Sequence, residues 1–116
     1  MPYHFTDSKG FILCQTDLSG HIQLFDEQLP DLLKTSARDL RGRHVLDITR
    51  PDFRTTTQLM FSNLLRTGAG YTIEKVFCDE LHESIPALVH VCLLRDEQSR
   101  PQGVVAIIQP RCRWSQ

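Results

Sequence analysis

The feature that most constrains this chain is a set of three strand-length apolar runs in its C-terminal half, at residues 71–78, 84–94 and 103–109. The connections between them, 79–83 and 96–102, are short and polar. Loops this short cannot carry a crossover, so the three runs predict an antiparallel meander. Two of them are apolar on both faces. Ala87, Val89, Val91 and Leu93 alternate with Leu88, Cys92 and Leu94, and Val104, Ala106 and Ile108 alternate with Val105 and Ile107. A sheet with one wet face alternates apolar with polar side chains. The outer face here is therefore expected to be covered, by the N-terminal segment or by a second subunit, because an exposed patch of this kind marks an interface.

Ahead of the meander lie a hairpin and a helical stretch. Residues 11–16 and 21–25 flank Asp17-Leu18-Ser19-Gly20, with Asp and Gly placed as a tight turn requires. Simple alternation puts Ile22 and Leu24 on one face of the second strand and Phe25 on the other. Asp26 is expected to cap a short helix through Leu33, with Pro30 near its start, and Ser36-Ala37-Arg38-Asp39 reads as a capping box stopped by Gly42. One more turn is expected at 44–48. A longer helix follows, capped by Thr49, with Pro51 in its first turn and Gly68 at its end. Its apolar stripe is Phe61, Leu64 and Leu65 beside Thr57 and Met60; Arg54, Gln58, Ser62 and Arg66 fall on the other side. The class is α+β: a five-stranded antiparallel sheet, elements in the order β-β-α-α-α-α-β-β-β, helices packed on one face.

With 116 residues the chain has room for one core. Residues 11–110 are read as the domain, 1–10 as an N-terminal flank and 111–116 as the start of a linker. A formal charge of -1 gives no excess of cations for a phosphate backbone, and the clusters Arg38, Arg41, Arg43, His44 and Arg111, Arg113 read as solvated surface, so direct nucleic-acid binding is not expected. No apolar run reaches the length of a membrane span, and the N-terminus lacks a signal-peptide core. Cys14, Cys78, Cys92 and Cys112 form no CxxC pair and read as reduced structural thiols, which places the chain in the cytoplasm. His4, His21, His44, His82 and His90 form no zinc spacing, and His90 with Cys92 on one strand face reads as packing. There is no G-x-S-x-G, no phosphate-binding glycine loop and no sequence-local Cys-His pair, so no catalytic residue is assigned and no enzyme is expected.

From Phe11 to Gln109 the sequence resembles the PAS domain family. The residues that carry the likeness are the hairpin Ile12 to Ile22 with its D-x-x-G turn, the glycine-ended Ser36 to Arg43, Pro51-Asp52 at the long helix, Glu74 in its strand, and Leu94-Arg95-Asp96 through Pro101-Gln102-Gly103-Val104. Their order and spacing matter more than any one of them. Two stretches depart from the family pattern: Asp26 with Leu29-Pro30 stands where many relatives carry Asn and an aromatic, and 79–83 replaces the usual D-G turn. The resemblance implies a sensory or regulatory module of bacterial signal transduction, in two-component systems or transcription regulation. Such a module works as a homodimer and controls a histidine kinase, cyclase or DNA-binding effector.

It also implies a cavity between sheet and helices, open to a small apolar ligand. Its expected walls are Phe25, Leu32, Val45 and Ile48 from the N-terminal half, Phe61 and Leu64 from the long helix, and Ile73, Val89, Val91 and Ile107 from the strands. The expected dimer face is Leu88, Cys92, Leu94 and Val105. A fully packed core serving dimerisation alone is the competing reading; a small cavity enzyme has no positive sign. No cofactor is expected. Flavin-bearing relatives carry a reactive cysteine where this chain has Val45, and the long helix offers no histidine to a haem, leaving only His44 nearby.

Overall fold

A computed structural model describes residues 10–111. Of the expected flank 1–10 and linker start 111–116, residues 1–9 and 112–116, with His4, Cys112 and Arg113, lie outside the described residues. Strands β1 (Ile12–Thr16) and β2 (Ile22–Phe25) open the fold. Helices α1 (Gln28–Leu33) and α2 (Ala37–Leu40) and two 3-10 turns (Val45–Ile48, Pro51–Phe53) lead into α3 (Arg54–Thr67). Strands β3 (Tyr71–Cys78), β4 (Ser84–Arg95) and β5 (Pro101–Pro110) complete it. The five-stranded sheet has the order β2-β1-β5-β4-β3, antiparallel throughout, with the helices on one face. The expected fold class and order of elements are those observed.

The first hairpin forms for the reason its sequence suggests. Asp17 Oδ1 accepts the backbone N–H groups of Ser19 (2.9 Å) and His21 (2.8 Å), and these donors hold its carboxyl below the usual range. Gly20 has φ +93°, and a Cβ there would meet His44 Nε2 at 2.9 Å, so turn and helical layer interlock at a position only glycine fills. The edge of β2 is covered by its own chain: Ile22 N–H donates to Arg43 O, Gly42 N–H to Ile22 O, and Val45 N–H to Gly20 O.

Three local expectations give way to tertiary contacts. The register of β1 with β2 shifts so that Gln15 faces Leu24 while Thr16 faces Ile22. The extra residue, Gln23, reverses the alternation. Leu24 therefore sits with Gln15 on the outer face, 60% exposed, and Phe25 turns in toward the core. Asp26 does not cap α1; its Oδ2 accepts Leu13 N–H at 2.9 Å, closing the β1–β2 pair instead. Thr49 does not cap α3 either. It is fully buried, donates its hydroxyl to Val45 O, and bridges to Phe77 on β3. The Ser36 cap forms as read, accepting Asp39 N–H at 3.0 Å, and Gly68 ends α3 in the left-handed region.

The core lies between the inner sheet face and the helices, centred on Ile22, Leu29, Leu33, Leu40, Leu64 and Ile108. Its far end is tied by the β3–β4 loop, where the usual turn is missing. The buried Asp79 Oδ1 accepts N–H from Leu81 (2.9 Å) and Glu83 (2.8 Å), and Oδ2 lies 3.4 Å from Lys34 Nζ at the end of α1. Burial alone would raise this carboxyl, but those donors and the ammonium hold it below the usual range. Replacing Asp79 with Ala leaves two loop amides without their carboxylate and removes one of the contacts that hold Lys34 at the end of α1. We expect a loss of about 2 kcal/mol in urea unfolding; a loss within about 0.5 kcal/mol would show the loop holds itself without the carboxylate.

Candidate ligand cavity and outer sheet face

Four of the five strands contribute to one cavity. Cys14 and Thr16 come from β1, Val104, Ala106 and Ile108 from β5, Val89 and Val91 from β4, and Tyr71, Ile73, Lys75 and Phe77 from β3. Val45, Ile48, Thr57 and Phe61 close it from the helical side. Its volume is about 40 Å³. At 10–15 Å³ for each water-sized group, that is space for roughly three or four heavy atoms. Pockets for drug-sized ligands measure roughly 300–1,000 Å³. Val45, Thr57 and Phe61 also form the floor of an outer groove of about 250 Å³ between the first turn and α3, so these three side chains separate the cavity from solvent.

Of the ten expected wall residues, Val45, Ile48, Phe61, Ile73, Val89 and Val91 meet at this cavity. Leu64 is fully buried in the packed core, and Phe25 and Leu32 pack at the core's margin, Phe25 beneath the Arg41 guanidinium at 5.2 Å. Ile107 is a correction. It pairs with Leu13 and His90 and points to the outer face, because the inward positions of β5 are Val104, Ala106 and Ile108.

Lys75, which no sequence motif marks, is the unusual wall residue. It is 5% exposed, with its Nζ 4.9 Å from the centroid of the Phe77 ring. Its strand neighbours Ile73 and Phe77 also face inward, so the period-2 pattern of β3 carried the signal. Burial pushes the amine down to about 8, against a weaker opposing effect from Cys14 beside it. Burial pushes the Cys14 thiol up to about 12 and the Tyr71 phenol up to about 12. At neutral pH the ammonium is charged, while thiol and phenol keep their protons. Across the cavity Thr57 Oγ1 is buried without a hydrogen-bond partner among the described residues. Thr16 Oγ1 is satisfied by Asp17 O at 2.8 Å.

The histidines are engaged elsewhere. His44 Nδ1 accepts Leu46 N–H at 3.1 Å, which makes Nε2 the protonated nitrogen, donating to Ser19 O at 2.8 Å. His90 Nδ1 and Thr72 Oγ1 are 2.9 Å apart as cross-strand partners on the outer face. Among the described residues no three His, Cys, Asp or Glu side chains gather at metal-binding distance, and Cys14, Cys78 and Cys92 are free thiols. Glu74, singled out by the resemblance, points outward and accepts Arg111 Nη2 at 3.0 Å.

The outer sheet face is apolar and open among the described residues. Leu88, Cys92, Leu94 and Val105 share it with Ile107, Leu13 and Leu24; Leu13 is 45% exposed. Across β1, β5 and β4 its middle carries Leu13, Gln15, Val105, Ile107, Leu88, His90 and Cys92, without an acidic or basic side chain other than the imidazole.

The buried amine has a measurable signature. Lys75 titrates at 10.5 when unfolded and about 8 when folded, so between these values only the unfolded chain binds the proton and stability rises with pH. Cys14 acts oppositely from pH 9.0 upward and Tyr71 from 10.0, since each keeps its proton longer when folded. Comparison with Lys75→Met isolates the lysine. The variant should be more stable than the parent at pH 7, and the gap should narrow by about 2–3 kcal/mol between pH 8 and 10.5 in urea unfolding. A gap independent of pH would mean the amine is solvated.

No protein-family model matches the sequence, and no curated protein matches it. Solved structures do match. A PAS domain from Colwellia psychrerythraea superposes with a TM-score of 0.81 at 15% identity, over 92% of this chain and 91% of that one. The Drosophila melanogaster Cycle PAS-B domain with bound ethylene glycol gives 0.78 at 8% identity, over 86% and 99%. The PAS domain of an HTR-like protein from Haloarcula marismortui gives 0.74 at 15% identity, over 92% and 85%. Strand order, the helical layer and these superpositions agree that this chain has the PAS fold.

Proposed function

We propose that this domain is a sensory or regulatory module of a signalling protein, which pairs with a second copy of itself through the outer sheet face. By binding a small molecule in its cavity it controls an effector domain such as a histidine kinase, cyclase or DNA-binding domain. The observation that carries the reading is the open apolar face of β1, β5 and β4. A two-fold contact brings a surface against itself, so it requires a patch without self-repelling charge. The row Leu13, Val105, Ile107, Leu88 meets that requirement, with Gln15, His90 and Cys92 as uncharged polar neighbours. Sheet and cavity share strands β1, β4 and β5, so a cavity ligand that favours one arrangement of the strands would shift the pairing equilibrium.

The module works by binding rather than catalysis. Supporting this, the Cys14 thiol is protonated far above neutral pH, and among the described residues the His90–Thr72 pair sits on an open face with no carboxylate hydrogen-bonded to the ring. Free thiols at Cys14, Cys78 and Cys92 suit the reducing cytoplasm. The cavity's size favours a second reading, in which about 40 Å³ is residual packing space and the domain serves pairing alone.

Val105→Glu tests the pairing. Val105 is half-buried at the middle of the outer face, where Gln15 and Cys92 are its cross-strand neighbours. In sedimentation equilibrium the parent should be a dimer and Val105→Glu a monomer with an unchanged far-ultraviolet spectrum. A folded variant that remains dimeric would place the interface elsewhere; a monomeric parent would remove the pairing from the account.

A further inference from the structure

Among the described residues the charge in the cavity has no counter-charge. Lys75 is 95% buried by its 5% exposure, and among the described residues no carboxylate forms an ion pair or hydrogen bond with it. The acidic groups nearest in sequence are taken: Glu74 faces outward to Arg111, and Asp79 faces Lys34. Cys14 is beside the amine, but its thiol stays neutral at physiological pH. The Phe77 ring gives the ammonium an apolar seat with partial compensation through its π face, short of what a buried cation needs. On the helical wall, Thr57 Oγ1 is also buried and unpaired, a second donor lining the same space. The remaining walls are largely aliphatic and aromatic, and they include Val45, Ile73 and Val89.

We propose that the cavity is a site for a small monocarboxylate anion of acetate size, its carboxylate taken by Lys75 Nζ and Thr57 Oγ1 and its alkyl end by the apolar wall. A carboxylate matches each element of the site. Its two oxygens accept from two separate donors, its charge neutralises the ammonium, and its four heavy atoms are at the upper end of what about 40 Å³ holds. A single water could accept from both donors but would leave the cation uncompensated. The amine, held down to about 8, still carries its proton at neutral pH and so presents a charge to the anion. Val45, Thr57 and Phe61 separate the cavity from the outer groove, so entry by that route requires these side chains to move.

This inference rests on the reading of the cavity as a ligand site, and the experiment separates the two. Sodium acetate, its neutral isostere acetamide, sodium chloride and sodium benzoate are titrated into the full chain at constant ionic strength. Amide shifts of Val45, Phe61, Ile73 and Val89 are followed by NMR, with parallel thermal unfolding. Acetate should give saturable shifts at those residues and raise the unfolding midpoint. Acetamide should bind at least about tenfold more weakly, and benzoate should not enter. Lys75→Met should lose at least about tenfold in acetate affinity, and Thr57→Val, which keeps the side-chain volume, should lose less. Equal binding of acetamide, or undiminished acetate binding by a folded Lys75→Met, would overturn the anion assignment and leave the cavity as a site for neutral molecules. Chloride binding as tight as acetate would overturn the carboxylate class in favour of a halide. No saturable shift with any of them would overturn both the assignment and the ligand role of the cavity, leaving pairing to be judged by sedimentation alone.

Discussion

Strand β5 joins what would otherwise be two separate pieces. The N-terminal hairpin β1–β2 and the β3–β4 pair have no direct sheet contact; β5 lies between β1 and β4 and hydrogen-bonds to both. Five register pairs on one side, Ile12–Ile108 through Thr16–Val104, fix the first hairpin against the last strand. The approach is close enough that a Cβ at Gly103 would fall 2.7 Å from Thr16 O, so glycine is needed where the strand passes. Each of these pairings spans most of the chain, and the loop-closure entropy they cost is recovered only when the sheet is complete. The inner face, the cavity and the outer face all come into being with that one insertion.

Insertion makes β5 and β4 central strands, and their sequences are apolar on both sides as central strands permit. The inner side is closed by the helical layer and packs tightly, leaving only a small cavity, yet that cavity contains a lysine. Burying an ammonium costs several kcal/mol without a partner, and nearby positions such as Ile73 and Phe77 show that an apolar residue fits the strand. A chain under selection for stability alone gains nothing from Lys75 there. On the other side, Leu13, Leu24, Leu88, Val105 and Ile107 form a surface with nothing over it among the described residues. Each face thus departs from the most stable solution in a way that binding would offset, an anion on one side and a second sheet on the other.

Much of the fold was legible because it is written in short-range chemistry. Asp17 and Gly20 specify the first turn, Ser36 caps its helix, Gly68 ends the next, and the three late runs with short polar loops force a meander. At several misread positions another contact claimed the side chain. Asp26 and Thr49 look like caps, but Leu13 N–H and Val45 O claim their side chains. The extra residue at Gln23 reverses Leu24 and Phe25, and no local pattern marks it. Within the site, the parity of β3 and β5 already placed Lys75 inward and Ile107 outward, and it was readable one residue at a time. The volume of the cavity, the lack of a partner for Thr57 and the blocked route past Val45 and Phe61 arise from packing between elements distant in sequence.

The claim at the centre of this account is that the outer sheet face meets its own copy. NMR of the uniformly labelled domain over a dilution series, from millimolar to micromolar, tests it at residue resolution. The account predicts concentration-dependent amide shifts at Leu13, Leu88, Cys92, Val105 and Ile107, with Val45, Ile73 and Phe61 at the cavity changing far less. Shifts that are independent of concentration while the particle mass stays monomeric would contradict it, as would changes confined to the surface of α3 around its exposed Leu59 and Leu65.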